Sequence, residues 1–280
     1  MSGPWVVSSP IGRSPGDHVC WPFRGHHDLV AVARAYLAEG LARDERVAYV
    51  SAGGPGMLRH DLGGMPGLDE HLERGRLQLV PLDTLQAPDS VAHPAGEVSL
   101  LATMTAEALD AGYRGLRIFA DGTTRVRDPA RRAQHVRYEH VIDRLCRERS
   151  LTMLCAYDRN ALGDVAVAEV ACVHALAHGG LSPFQLSAAE RADMALAGSV
   201  DRFSTADLVM ALQRIDVPAP GRDMTIDTAA LAFIDHRALL TLDQYATGRR
   251  AAVVLRSAPG VVRPLMELLP LGTVRLEEAP

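Results

Sequence analysis

The sequence predicts an α/β protein: a parallel, three-layer sheet domain followed by a second, smaller α/β domain. Three observations predict it. Short apolar runs alternate with helical patterns of about ten or more residues, the signature of a parallel sheet covered on both faces. Runs such as LRIF at 116–119 and LTMLC at 151–155 are apolar without alternation, as in strands buried on both sides. The stretch His178–Ser187 (HGGLSPFQLS) breaks both periodicities with two glycines and a proline, which separates residues 1–184 from 185–280.

Composition agrees. At about 150 residues per domain, a chain of 280 residues suggests two domains or one large one. It is 48% hydrophobic and 22% charged with mean hydropathy +0.02, enough to bury a core and too apolar for disorder. No apolar run reaches the roughly 18–20 residues of a membrane span, and Met1 to Arg13 lacks the basic-then-apolar order of a signal peptide. The expected location is the cytoplasm. There Cys20, Cys146, Cys155 and Cys172, none in a C-x-x-C pair, are expected free and mostly packed as small hydrophobes.

The elements follow in order. His18–Phe23 (HVCWPF) reads as a strand, and His27–Ala42 as a helix with apolar residues at 29, 30, 32, 33, 36, 37 and 41. Strands follow at 46–51 and 76–82, with a short helical stretch around 69–74 between them. A helix over 98–111 stops at Gly112. The segment 116–120 is a strand, 129–149 a helix, 151–157 a strand, and 165–177 a last helix before Gly179-Gly180. In the second domain, strands are expected at 194–198, 223–228, 251–256 and 273–276. Ser204 reads as the N-cap of a helix ending at Ile215, with Asp207 three residues on. Asp235 reads as the N-cap of a helix over 236–246, and 261–269 as the final helix.

Several residues carry candidate chemistry. His18 and Cys20 share one strand face, with Val19 and Trp21 opposite. Such a pair suits a metal, a polar ligand clamp or an activated thiol. The spacing H-x-C-x5-H-H, through His26 and His27, matches no structural zinc pattern, so no metal and no cofactor are expected; a small-molecule pocket including His18 is the stronger reading. Ligands of open α/β sheets sit beyond the carboxyl ends of the strands. That rule selects Phe23, Arg24, Ser51, Asp121, Tyr157 and Asp158, with Glu139 and either His135 or His140 converging from the long helix. Arg125, Arg127, Arg131, Arg132 and Arg137 read as a solvated helix start, with docking of an acidic group as the alternative.

A degenerate RecA/Rossmann-like layout raises the question of nucleotides. Ser51–Gly56 (SAGGPG) is a glycine-rich loop after a strand. It lacks the P-loop pattern, it is not G-x-G-x-x-G, and the chain contains no lysine. ATP hydrolysis by the usual route is therefore not expected. With 29 cationic and 34 acidic side chains, the net charge of −5 also argues against nucleic acid.

The segments Gly16–Phe23, LVAVARAYLAEGLARDERVAYVS at 29–51, GLRIFAD at 115–121, Tyr138-Glu139 and LTMLCAYDRNAL at 151–162 resemble the MEDS domain over most of residues 14–178. The resemblance implies a sensory module that binds small organic ligands, of the class of simple hydrocarbon derivatives, and signals to an attached output domain. Relatives often carry an aromatic after the strand matching LRIFAD. Here Asp121-Gly122-Thr123-Thr124 stands instead, so a preference resting on that aromatic is not expected.

Residues 188–280 resemble a STAS domain, the fold of bacterial anti-sigma-factor antagonists. Three segments carry this: LAGSVDRFSTADLVMALQRI, DMTIDTAALAFIDHRALLTLDQYA and AAVVLRSAPGVVRPLMELLPL. The resemblance implies a helix after Phe233-Ile234-Asp235 that docks on a kinase-like anti-sigma factor, with Asp235, His236, Arg237 and Leu240 as contacts. The family's phosphoacceptor follows the Asp; here His236 and Arg237 stand there and no hydroxyl occurs before Thr241. Control by phosphorylation at this loop is therefore expected to be lost.

The leading expectation is a non-enzymatic regulator of transcription. Its first domain senses a small organic ligand, and its second binds an anti-sigma factor or a similar partner-switching protein. G-x-S-x-G, H-E-x-x-H and zinc-deaminase patterns are absent from the sequence. Two alternatives stay open. One is an enzyme with His18 as base or Cys20 as nucleophile, for which a low thiol pKa at Cys20 would be the mark. The other is an assembly protein, for instance a homodimer, whose domains only mediate oligomers.

Overall fold

The computed structural model describes residues 5–85, 94–217 and 221–277. In chain order its first part contains β1 (Val6–Val7), β2 (His18–Phe23), α1 (His26–Ala42), β3 (Arg46–Ser51), α2 (Pro55–Asp61), α3 (Leu68–Glu73) and β4 (Leu77–Pro81). These are followed by α4 (Pro94–Asp110), β5 (Leu116–Asp121), α5 (Thr123–Val126), α6 (Pro129–Glu148), β6 (Leu151–Asp158), α7 (Arg159–Ala171) and β7 (Leu176–His178). The seven strands pair in the order β1-β7-β2-β6-β5-β3-β4, every pair parallel.

Alternation along the strands assigns the two faces. Val19, Trp21, Val47, Tyr49, Phe119 and Leu154 pack with Leu29, Ala33, Tyr36 and Leu37 of α1. Cys20, Ala48, Ile118, Met153, Cys155 and Tyr157 pack on the opposite side with Val136, Ile142 and Cys146 of α6 and Val167 and Val170 of α7. Both faces are therefore dry, which is why the strands carry unbroken apolar runs. Arg117 is a buried charge on one of these strands. Fully buried in β5, it donates from Nη1 to Glu39 at 3.0 Å, from Nε to Glu45, and from Nη2 to the Arg13 carbonyl at 2.9 Å, with its guanidinium 4.8 Å from the Tyr36 ring centroid.

The second part contains β8 (Phe184–Ser187), β9 (Met194–Val200), α8 (Thr205–Ile215), β10 (Met224–Asp227), β11 (Leu231–Ile234), α9 (His236–Gly248), β12 (Val253–Arg256), α10 (Val262–Leu268) and β13 (Val274–Leu276). β10 and β11 pair in parallel with successive stretches of β9, β8 pairs antiparallel to it, and β12 and β13 extend the sheet beyond β10. β9 alternates strictly between buried and half-buried residues, as a strand with one covered face does.

Some expectations are corrected. The helix placed at 165–177 is α7, which starts at Arg159 under the cap of Asp158 and ends at Ala171. Gly163, at φ 76°, interrupts its helical pattern, and Leu176–His178 is strand β7. β8 occupies the end of the 178–187 stretch. Ser204 does not cap α8 through its hydroxyl; Asp201 does the local bonding instead, accepting from Phe203 N at 2.9 Å and Ser204 N at 3.1 Å. The arginine stretch is not simply solvated. Arg125 is half-buried and pairs with Glu97 at 2.7 Å, and Arg132 pairs with Glu169 at 2.9 Å. Asp235 does cap α9, accepting from Ala238 N at 2.8 Å.

The two sheets are not insulated from each other. Phe184, Leu186, Leu196 and Leu212 belong to the same buried cluster as Cys146, Val170 and Val173. Glu169 accepts from Arg132 of α6 and, at 2.6 Å, from Arg214 of α8, and Arg144 donates to the Asp193 carbonyl at 3.0 Å. Among the described residues, no helix is long and apolar enough to cross a membrane.

Candidate functional site

Helix α6 crosses the β2–β6 face and delivers polar side chains into an otherwise apolar layer. Its pattern explains this: His135, Glu139 and Asp143 recur every four residues, so they share one helix face. All three are buried. They meet His18 from the start of β2, Cys155 and Tyr157 from β6, and His174 from the turn after α7.

His18 sits at the centre. Its Nδ1 lies 3.2 Å from Asp143 Oδ1 and its Nε2 lies 3.1 Å from Glu139 Oε2. Burial opposes a charge on this ring, but the hydrogen bonds to Asp143 and Glu139 outweigh it and raise the imidazole to about 9. Glu139 works in both directions. Its Oε1 takes His135 Nε2 at 2.6 Å and the Tyr157 hydroxyl, while Oε2 faces His18. Burial opposes its charge too, yet the surrounding His135, His174 and His18 hold the carboxyl well below the usual range. His174 donates from Nδ1 to the Val170 carbonyl at 2.8 Å, lies with its ring centroid 4.2 Å from that of His18 at a tilt of 31°, and places Nε2 3.5 Å from Glu139 Oε2 without hydrogen-bond geometry. Burial and the neighbouring His18 push His174 down to about 4. Cys155 Sγ lies 3.5 Å from His18 Nε2 and 3.6 Å from Glu139 Oε2.

Beside the cluster opens a small, largely apolar pocket. Its walls are Val50, Leu82, Leu101, Ile118, Ala120 and Met153. Its polar end is Glu139, His135, Tyr157, Asp121 and the Arg125–Glu97 pair. Gly122 is needed there, since a Cβ would stand 2.7 Å from Cε1 of Tyr157. Asp121 at the rim accepts from Thr123 N at 3.0 Å, and its burial raises the carboxyl. The arrangement is that of a small-molecule site: apolar walls with a few convergent polar groups.

The sequence-selected residues divide. His18, Glu139 and Tyr157 converge, and Asp121 joins at the cavity. Cys20 is the register partner of Cys155 on the same face, but burial and the Glu139 charge push its thiol far up, so the activated thiol weighed for it is not present. Arg24 is exposed, and its backbone N–H bonds Asp28. Ser51 follows Val50 and so points to the α1 face, away from the cluster. Of the two histidines offered from α6, His135 joins; His140 is buried and neither ring nitrogen has a hydrogen-bond partner. Asp143, Cys155 and His174 were not selected. In sequence they look like core positions, and only the four-residue spacing 135-139-143 signalled one of them.

A family model described as MEDS, the methanogen/methylotroph, DcmR sensory domain, matches residues 17–175. The chain belongs to the MEDS family. The matched segment runs from the residue before His18 to the residue after His174, so the whole MEDS cluster lies inside it. A sensing or signalling role follows from that membership. No curated protein matches the chain.

Proposed function

We propose that the MEDS domain binds a small, mostly apolar organic molecule bearing one polar group, and that residues 185–280 report its binding to a protein partner without catalysis. The observation that carries the reading is a continuous hydrogen-bonded path out of the cavity. It runs from Tyr157 and His135 to Glu139, then to His18, then to Asp143, whose Oδ2 accepts the backbone N–H of Ala188 at 2.8 Å. Ala188 directly follows β8, so a group that competes for Glu139 acts on the entry to the second sheet. Non-enzymatic action is favoured over the Cys20 alternative because that thiol is buried and held protonated.

The output half is read as STAS-like. In favour are the antiparallel β8–β9 pair leading into parallel strands, and α9 starting after Phe233-Ile234-Asp235. His236 and Arg237 are exposed at the start of that helix and Leu240 half-buried beside them, which suits docking of an anti-sigma-type protein. The Thr241 hydroxyl is engaged with the Arg237 carbonyl at 2.7 Å, in keeping with a switch that is not driven by phosphate. Nucleic acid is left out of this reading, as the acidic balance suggests.

The test uses the whole chain and a panel of the shortest linear alcohols and amines, matched to apolar walls with one polar end. A binder raises Tm with the logarithm of its concentration, by the equivalent of about 2.7 kcal/mol at a hundredfold excess over Kd. Leu101→Trp, which fills the cavity, removes the shift while circular dichroism stays unchanged. A panel that leaves Tm flat throughout defeats the sensing half. The output half is tested by affinity capture from native lysate: an anti-sigma-type protein recovered by the whole chain is lost with His236→Glu/Arg237→Glu.

A further inference from the structure

We propose that His18, Glu139, Cys155 and His174 form a four-coordinate site for a divalent transition ion of the zinc class. One ligand atom from each residue lies within 4.8 Å of the others, and all four residues are buried. Four of the six donor spacings are close to those of a coordination shell. His18 Nε2 to Glu139 Oε2 is 3.1 Å, His18 Nε2 to Cys155 Sγ is 3.5 Å, Cys155 Sγ to Glu139 Oε2 is 3.6 Å, and His174 Nε2 to Glu139 Oε2 is 3.5 Å. A tetrahedral ion with bonds of about 2.0–2.1 Å to N or O and about 2.3 Å to S needs donor atoms roughly 3.3–3.6 Å apart.

Hydrogen bonding alone leaves this cluster incomplete. The Val170 carbonyl can only accept, so Nδ1 of His174 carries a proton. Its Nε2 is then a buried lone pair without a partner, turned toward a carboxylate oxygen. Two acceptors face each other across 3.5 Å, which a cation between them resolves. His18 shows the same construction, with Nδ1 held by Asp143 and Nε2 turned inward. A histidine ring braced at one nitrogen by a carboxylate or carbonyl and offering the other is the usual outer support of a metal ligand. Two imidazoles, one thiol and one carboxylate suit Zn²⁺ better than a hard, all-oxygen ion such as Mg²⁺ or Ca²⁺. On binding, the Cys155 S–H bond and the His18 Nε2–H bond both break, the sulfur and the nitrogen each keep their electron pair for the ion, and two protons leave to solvent.

The site shares His18 and Glu139 with the path from the cavity, an ion taking the place of their mutual hydrogen bond, but it does not depend on an organic ligand. The experiment therefore uses the metal alone, with no organic molecule present. The full chain is stripped with a chelator, reloaded with Co²⁺ or Zn²⁺, dialysed and assayed for metal. The expected result is about one ion per chain, with Co²⁺ giving a thiolate charge-transfer band and intense tetrahedral d–d bands. Cys155→Ser abolishes the thiolate band, and His174→Gln weakens binding at least about 100-fold. Asp143→Asn, which touches no ion, weakens it by about 10–100-fold. Wild-type protein that stays folded but retains no ion, or whose Co²⁺ spectrum is octahedral without a thiolate band, overturns the proposal. So does metal that all three variants hold equally. If the variants do not fold, the wild-type Co²⁺ spectrum decides alone.

Discussion

Asp143 and Ala188 join the two halves of the molecule through one hydrogen bond. The carboxylate sits on helix α6 beneath the first sheet, and the backbone N–H, 2.8 Å away, lies just past the first strand of the second. The same carboxylate takes His18 Nδ1 and the N–H of Ala175, both at 3.2 Å, and Arg147 braces it at 3.4 Å. One buried anion thus ties β2, the turn before β7 and the link after β8.

Removing that anion strips several buried donors of their acceptor at once. Asp143→Ala is expected to lower the unfolding free energy by about 3–5 kcal/mol, the range for breaking a buried charged network. Urea unfolding of the whole chain measures it. A loss below about 1 kcal/mol would show that the link between the halves is incidental.

Tyr157→Phe removes one hydroxyl and leaves the ring in place. That hydroxyl donates to Glu139 and lies 3.0 Å from His135 Nε2. A hydrogen bond to a buried carboxylate contributes about 1.5–3 kcal/mol, so a loss of that size is expected by denaturant titration. A neutral result would mean that water takes over the hydroxyl's place.

Arg117→Met leaves Glu45 buried and without its partner, and a loss of about 3–5 kcal/mol is expected. The double variant Arg117→Met/Glu45→Gln, which also removes the stranded charge, should recover much of it. The comparison by chemical denaturation separates the worth of the pair from the cost of an orphaned anion. Equal losses in single and double variants would contradict this account.

Acid should loosen the contact between α6, α7 and α8. Burial opposes the Glu169 charge, but the hydrogen bonds from Arg214 and Arg132 prevail and depress its carboxyl below the ordinary value. Its contribution is therefore complete above the ordinary glutamate range and is lost as pH falls through the depressed value. Tm measured from about pH 6 to about pH 3 should show wild type and Glu169→Gln converging toward acid. A constant gap across that range would refute the assignment.

How much was legible follows from the lengths involved. β2, β3, β5 and β6 are six to eight residues long, and their apolar runs exposed them and their two-sided burial in the sequence. β1, β7 and β8 have two to four residues and were not read: β7 continues the pattern of the helix expected at 165–177, and β8 lies in the stretch broken by glycines and a proline. At the site, His18 was paired with Cys20 because they are two residues apart on one strand. Its actual sulfur neighbour is Cys155, 137 residues away in the chain, and only the parallel register that sets Cys20 beside Cys155 reveals it. The carboxyl-end rule reached Tyr157 and Asp121 but selected Arg24 and Ser51 as well. It does not reveal that α6 carries the cluster deeper, to the level where β2 begins.

The apolar cluster running through both sheets has a practical corollary for anyone dissecting the molecule. A recombinant fragment ending before Phe184 would lose the phenylalanine and leucine that plug the floor beneath α6 and α7. Its bared, oily underside invites clumping, so silence from such a truncated sensor would reflect injury to the scaffold and not an absence of affinity.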